Sequence, residues 1–179
     1  MRQEFMRQEL TSFSADMEKY LELLKNGGCD TALVIAAQSV ITAPWTIYKC
    51  QYGCPRYGTS HCCPPKSPSW KATQEMLSCF QYGILFRCHE MKTGTALAMQ
   101  AAKELLLDGY YKVIAFGCGP CSKCETCAPE RCRFPGQTIP SMEACGIDVF
   151  ATVQGNGLEI QMLRDKDAPI NCYGLILVE

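Results

Sequence analysis

Apolar positions near the start of the chain recur at three- and four-residue spacing. Met17, Tyr20, Leu21 and Leu24 predict an amphipathic helix from about Ser14 to Lys25, stopped by Asn26-Gly27-Gly28. From Thr31 to Ile41 the pattern changes to a run rich in Ala, Val and Ile, which suits a buried strand. A helix is expected from Ser69 to Cys79, a strand from Gly83 to Phe86, and a breaker-free helix from Thr95 to Leu107. Val113 to Phe116 reads as a further strand. Pro140-Ser141-Met142-Glu143 opens another helix, with Ser141 as N-cap candidate and Glu143 near its positive end. That helix is expected to run towards Val153 and to end at Gly155-Asn156-Gly157, and Tyr173 to Val178 closes the chain as a strand.

Strands alternate with helices, so the expected fold class is α/β: a single domain over 1–179, with a central sheet flanked by helices. Two cysteine-rich stretches interrupt the pattern. The first, Cys50 to Pro65, is full of Gly and Pro and reads as loop; the second begins at Cys118, directly after a strand. Ligands in open α/β sheets gather beyond the carboxyl ends of strands. Both stretches follow expected strands, so they are expected to meet at one end of the sheet as two cluster-binding loops.

Fourteen cysteines in 179 residues change the picture. Such a count belongs either to a secreted disulfide framework or to metal ligation. The opening segment MRQEFMRQEL is charged throughout and has no apolar core or small-residue cleavage site of a signal peptide. No run reaches the roughly 18 uninterrupted apolar residues of a membrane span. A cytoplasmic protein with reduced thiols, and no membrane association, is the expectation. The formal charge is -1, from 17 basic and 18 acidic residues, which argues against a general nucleic-acid footprint.

The second stretch reads CGPCSKCETCAPERCRFP. Cys118, Cys121, Cys124 and Cys127 are separated by two residues each, and Cys132 follows after four more. An iron–sulfur cubane needs four thiolates converging on its iron corners, and a tight loop with two-residue spacers presents several sulfurs to one inorganic core. The bacterial ferredoxin run C-x2-C-x2-C-x3-C-P has nearly this form. Zinc is the alternative, because paired Cys-x2-Cys units also build zinc sites.

The first stretch reads CQYGCPRYGTSHCCPP. Cys50, Cys54 and either Cys62 or Cys63 supply three ligands, and no fourth is obvious nearby. His61 is one candidate, since imidazole replaces thiolate in some clusters; Cys132 is another, shared between sites as in two-cluster ferredoxins, with Cys118 then completing the second site. An iron left open to a substrate or small ligand is a third possibility. Cys145 is a further spare-ligand candidate. Cys29, Cys79, Cys88 and Cys172 fall in expected strands, helices or their ends and read as small buried hydrophobes. Lys49, Arg56, Lys66, Lys123, Arg131 and Arg133 interleave with the ligands, and such cations would stabilise a negative cluster and tune its potential. His89 reads as structural. No radical-S-adenosylmethionine C-x3-C-x2-C, Walker loop, G-x-G-x-x-G or G-x-S-x-G is present.

Three blocks together resemble a known family. They are Cys54 with Tyr57-Gly58 and Cys63-Pro64-Pro65; Gly119-Pro120-Cys121 through Cys132-Arg133 and Pro135; and Pro140 to Val149, which contains P-S-M-E-A-x-G-I-D-V. The chain resembles a family of small, cysteine-rich, predicted metal-binding proteins of unknown function, mostly from anaerobic bacteria and archaea. The resemblance implies metal binding and an anaerobic setting. It implies Cys63 rather than Cys62, and Cys50, Cys54, Cys121, Cys124, Cys127 and Cys132, as metal and cofactor ligands; Cys62 and Cys118 look like additions.

The leading expectation is therefore a protein with one or two [4Fe-4S] clusters that passes electrons to a partner oxidoreductase through a small transient surface. An enzyme or ligand-binding protein using an open cluster iron is the second reading, and a structural zinc module is the third.

Overall fold

The computed structural model describes residues 2–162 and 170–179. Two helices open the chain, α1 (Arg2–Asp16) and α2 (Glu18–Asn26), where the apolar spacing predicts one helix from Ser14. The break falls at Met17, which is fully buried and whose carbonyl accepts from the N–H groups of Tyr20 and Leu21. Then follow β1 (Cys29–Ala36), α3 (Trp45–Gly53), α4 (Trp70–Leu77), β2 (Tyr82–Cys88), α5 (Met91–Leu107), β3 (Val113–Phe116), α6 (Val149–Gly155) and β4 (Cys172–Val178). The third strand, the cap of α4 and the C-terminal strand lie where the pattern puts them. Ser69 caps α4 by accepting from the Ala72 N–H at 3.2 Å.

Among the described residues the strands form one sheet in the order β1-β2-β4-β3, antiparallel at every junction. Alternation of strand positions sorts the core into two layers. Ala32, Val34, Ile84, Phe86, Ala115 and Ile176 face α2 and α5, and pack on Leu21, Leu24, Leu97, Ala98 and Leu105. Ile35, Leu85, Phe116, Leu175 and Leu177 face the other way, onto Leu77, Phe80, Met142, Ile147 and Val153. The result is a mixed α/β domain with its sheet covered on both faces.

Three expectations are corrected. β1 ends at Ala36, not Ile41: after a last rung from the Ala37 N–H to the Gln81 carbonyl at 2.9 Å, a short 3-10 turn over Ala37–Ser39 takes the chain out of the sheet. Cys50 is helical, in the last turn of α3, whereas the first cysteine stretch reads as loop throughout. The helix expected from Ser141 to Val153 is a single 3-10 turn, Glu143–Cys145, followed by the separate α6, which Asp148 caps through Ala151 at 3.0 Å. Gly146 causes the interruption. It sits at φ +83°, and a Cβ there would lie 2.5 Å from the Trp70 Cα, so the chain turns against α4 and cannot continue as helix.

The antiparallel topology sends the carboxyl ends of β1 and β3 to opposite ends of the sheet. The cysteine stretches nevertheless meet. Residues after β1 cross the sheet end to end and zip onto the 141–148 segment, through a Thr42–Ile147 bridge, Ala43 N–H to Gly146 at 2.8 Å and Asp148 N–H to Ile41 at 2.8 Å. The same segment is tied to the end of β3 by the Gly117–Ser141 bridge. Position 141–148 is thus the junction that brings both stretches to the β3 end.

Candidate metal centre

Contacts between the stretches are direct. His61 Nε2 lies 2.8 Å from the Ala128 carbonyl, and the Lys66 ammonium donates to the Pro129 carbonyl at 3.0 Å. Two cavities open along this seam, of about 280 and 270 Å³.

The first cavity is lined by Cys50, Cys54 and Cys63, and by Cys62, which also lines the second. Cys50 sits in the last turn of α3 and Cys54 is the residue that caps it, with its N–H donating to the Cys50 carbonyl at 3.1 Å. Cys63 comes from the turn before Pro64-Pro65, and the Ser60 hydroxyl donates to its sulfur at 3.2 Å. Burial pushes the Cys50 thiol up, and the charges of Cys54, Glu143 and Cys63 push the same way against Lys49. Glu143 is the residue that sequence reasoning missed. It lines this cavity with its side chain open to it. Desolvation by the protein around it raises its carboxyl pKa, against hydrogen bonds from its own N–H and from Ser141 and the pull of Lys49. In the sequence it reads as an acidic first-turn residue, and its presence in the P-S-M-E-A block is the signal that could have marked it.

The second cavity holds Cys121, Cys124, Cys127 and Cys132, together with Cys62 and His61. Burial, then the charge of Cys121, pushes Cys62 up to about 11, while the Thr138 hydroxyl opposes the rise. Cys132 accepts from the Phe134 N–H at 3.3 Å and sits 3.7 Å from the Thr138 hydroxyl. The structure thus brings each of the seven implied ligands to a cavity, three to the first and four to the second. His61, a candidate fourth ligand for the first group, lines the second cavity instead, with Nε2 engaged by the backbone. Of the cations, Lys49 and Arg56 line the first cavity, and Arg56 and Lys123 the second. Arg133 is turned to the Thr126 carbonyl at 3.2 Å. Among the described residues, no three Cys, His, Asp or Glu donors are grouped tightly enough to hold a single metal ion.

Cys118 belongs to neither cavity's thiol set. It is buried in the core, bracketed by Thr95, whose hydroxyl accepts from its N–H at 3.0 Å and donates to its carbonyl at 3.1 Å. There it joins three other buried thiols: Cys29 pairs with Cys88 and Cys88 with Cys172 across the sheet. A hydrogen bond to Cys172 raises the Cys118 pKa, and one to Cys88 raises that of Cys29. Cys145 is fully buried beneath the seam, and burial pushes its thiol up to about 12. Cys79, read as a buried hydrophobe, is exposed one residue beyond the α4 C-cap.

A family model described as predicted metal-binding protein (DUF2284) matches residues 33–178. The chain belongs to that family. The match covers both cavities and Glu143 but leaves out Cys29. No curated protein and no solved structure matches the chain. Among the described residues, no helix is long and apolar enough to cross a membrane.

Proposed function

We propose that this family member is an iron–sulfur protein with a cluster in each cavity, and that it transfers electrons to a partner oxidoreductase. The observation that carries this reading is the pair of adjacent thiol-lined cavities, walled from one another by Cys62 and Arg56, which line both. The donor set fits. Zinc draws its thiolates to about 2.3 Å from one ion, whereas a polynuclear core keeps its terminal thiolates apart, as thiols ringed around a cavity are. A bound cluster supplies one-electron chemistry at a potential set by its surroundings.

The chain's own residues would hold and tune it. Cys50, Cys54 and Cys63 would serve the first site, and Cys121, Cys124, Cys127 and Cys132 the second. Lys49, Arg56 and Lys123 offset thiolate charge, and the Ser60 hydroxyl and Phe134 N–H bond to ligand sulfurs. For the partner, α3 presents Tyr48 and Tyr52, which are 61% and 79% exposed and stacked 6.5 Å apart beside the first cavity. Exposed aromatics of this kind suit a small transient interface.

The experiment is anaerobic purification with iron, acid-labile sulfide and zinc measured per chain on one sample, followed by reductive and oxidative titration. About eight irons and eight sulfides, reduced and reoxidised reversibly, support the reading. Zinc without sulfide overturns it in favour of a structural metal. A second reading, ligand binding or catalysis at an open iron, is favoured by one observation: the first cavity has three thiols of its own, because the fourth nearby sulfur, Cys62, interacts with Cys121.

A further inference from the structure

Four thiols line the first cavity, but Cys62 is shared with the second and interacts with Cys121, which leaves three to the first; the same lining offers a donor of another kind. The rim and walls contain one carboxylate, Glu143, alongside Cys50, Cys54 and Cys63. All four side chains line the same cavity, and the Glu143 charge helps to raise the Cys50 thiol. The position is held rigidly. Glu143 begins the 3-10 turn, its carbonyl accepts from the Gly146 N–H at 3.0 Å, and the turn is pinned by Gly146 against Trp70 and by Ser67, whose hydroxyl donates to the Ala144 carbonyl at 2.5 Å. The Glu143 carboxyl takes hydrogen bonds from its own N–H and from Ser141 at the edge of the thiol-lined cavity. No residue forms a direct salt bridge with it among the described ion pairs.

Resting on the iron–sulfur reading, we propose that Glu143 is the fourth donor of the first site, so that this site has three thiolates and one carboxylate and binds small carboxylates or related oxyanions at the carboxylate corner. A carboxylate is a harder and more exchangeable ligand to iron than a thiolate. The two sites then divide their work. Four thiolates fix the second site, while the first keeps one corner that an oxygen-donor ligand can take in place of Glu143. Lys49 and Arg56 line the same cavity and supply positive charge for such an anion, and Trp45 and Phe150 give it an apolar wall.

The test compares wild type, Glu143→Cys and Glu143→Ala, each purified without oxygen, by iron and sulfide content and by electron paramagnetic resonance of the dithionite-reduced protein with and without excess acetate, and of the protein after brief air exposure. The expected result has three parts. Wild type changes its resonance spectrum with acetate. Glu143→Cys keeps full iron and sulfide but no longer responds to acetate. Glu143→Ala loses about one iron per chain on brief air exposure, giving a three-iron signal that Glu143→Cys does not give. The same spectra and the same acetate response in all three proteins would overturn the inference while leaving the iron–sulfur reading intact. Zinc without sulfide in wild type would instead remove the reading on which the inference rests. Glu143→Cys also guards against a folding defect, because it restores a donor at the same position.

Discussion

Cys62 and Cys63 are neighbours in the chain, yet Cys63 lines the first cavity alone while Cys62 lines both. Cys63 takes the Ser60 hydroxyl at 3.2 Å and acts on Cys50, whereas Cys62 interacts with Cys121 and Thr138. Their consequences on substitution therefore differ. Cys63→Ser is expected to remove about half of the iron and sulfide, by emptying the first site alone. Cys62→Ser is expected to leave the iron content near that of wild type and to shift the reduction potential of the second site, where four other thiols remain. Metal and sulfide analysis with a redox titration of both variants checks this; equal iron loss in the two would contradict the division of the cavities.

The apolar patterns made β3, β4 and α5 legible, because each is a local run whose period needs no partner. The direction of the strands was not legible, since buried runs look alike in parallel and antiparallel sheets, and the seam forms by a route that crosses the sheet. The site was half legible. Cysteine spacing marks ligands without saying which share a cavity, and that Cys118 leaves its run for the core depends on Thr95 and Cys172, distant in sequence. Glu143 was hidden for a related reason. A serine two residues before a glutamate reads as a helix start, and only the approach of Gly146 to Trp70 shortens that helix to one turn that faces the cavity.

The core thiols should be chemically silent. Cys88, Cys118 and Cys145 are at most 3% exposed, and Cys29 and Cys172 remain buried, whereas Cys54 and Cys79 are exposed. Alkylation needs an accessible thiolate. In metal-free protein that is still folded, a short pulse of iodoacetamide is expected to label Cys54 and Cys79 first and these five core thiols only after denaturant is added. Peptide mass spectrometry reads the order. Labelling of Cys88 or Cys118 at the rate of Cys79 would mean that the sheet end opens readily. Cys79→Ser, in turn, should change stability by less than about 0.5 kcal/mol.

Asp30 gives the fold an acid-sensitive tie. Arg87 reaches it with Nε at 2.9 Å and a terminal nitrogen at 2.6 Å, and His89 Nε2 lies 3.2 Å away. The Arg87 guanidinium holds the Asp30 carboxyl below its ordinary pKa. A carboxyl with a lowered folded-state pKa stabilises the fold above its unfolded value, near 3.9, and that contribution fades as pH falls through the folded value. The pair is partly exposed, so Asp30→Asn is expected to cost about 1 kcal/mol at neutral pH. The gap in Tm between wild type and Asp30→Asn should be constant around pH 7 and should close below about pH 4. A gap that widens on acidification would reverse the assigned sign.

Gly146 couples the backbone to the candidate site, and its replacement tests that link. At φ +83° an L residue costs about 1–3 kcal/mol from backbone strain alone. The added Cβ would also meet the Trp70 Cβ at 2.4 Å and its Cα at 2.5 Å, contacts that only a shift of backbone can relieve. Two elements share that strain: α4, which begins at Trp70, and the turn that carries Glu143 and packs Cys145 into the core. Gly146→Ala is therefore expected to lower Tm by roughly 2–4 °C for each kcal/mol lost. It is also expected to disturb the first site more than the second, because the turn lines only the first cavity. Thermal unfolding together with cluster spectra of the purified variant reads both effects. A drop in Tm with unchanged spectra would show that the turn moves independently of the first cavity and would remove Gly146 from the account of how Glu143 is positioned.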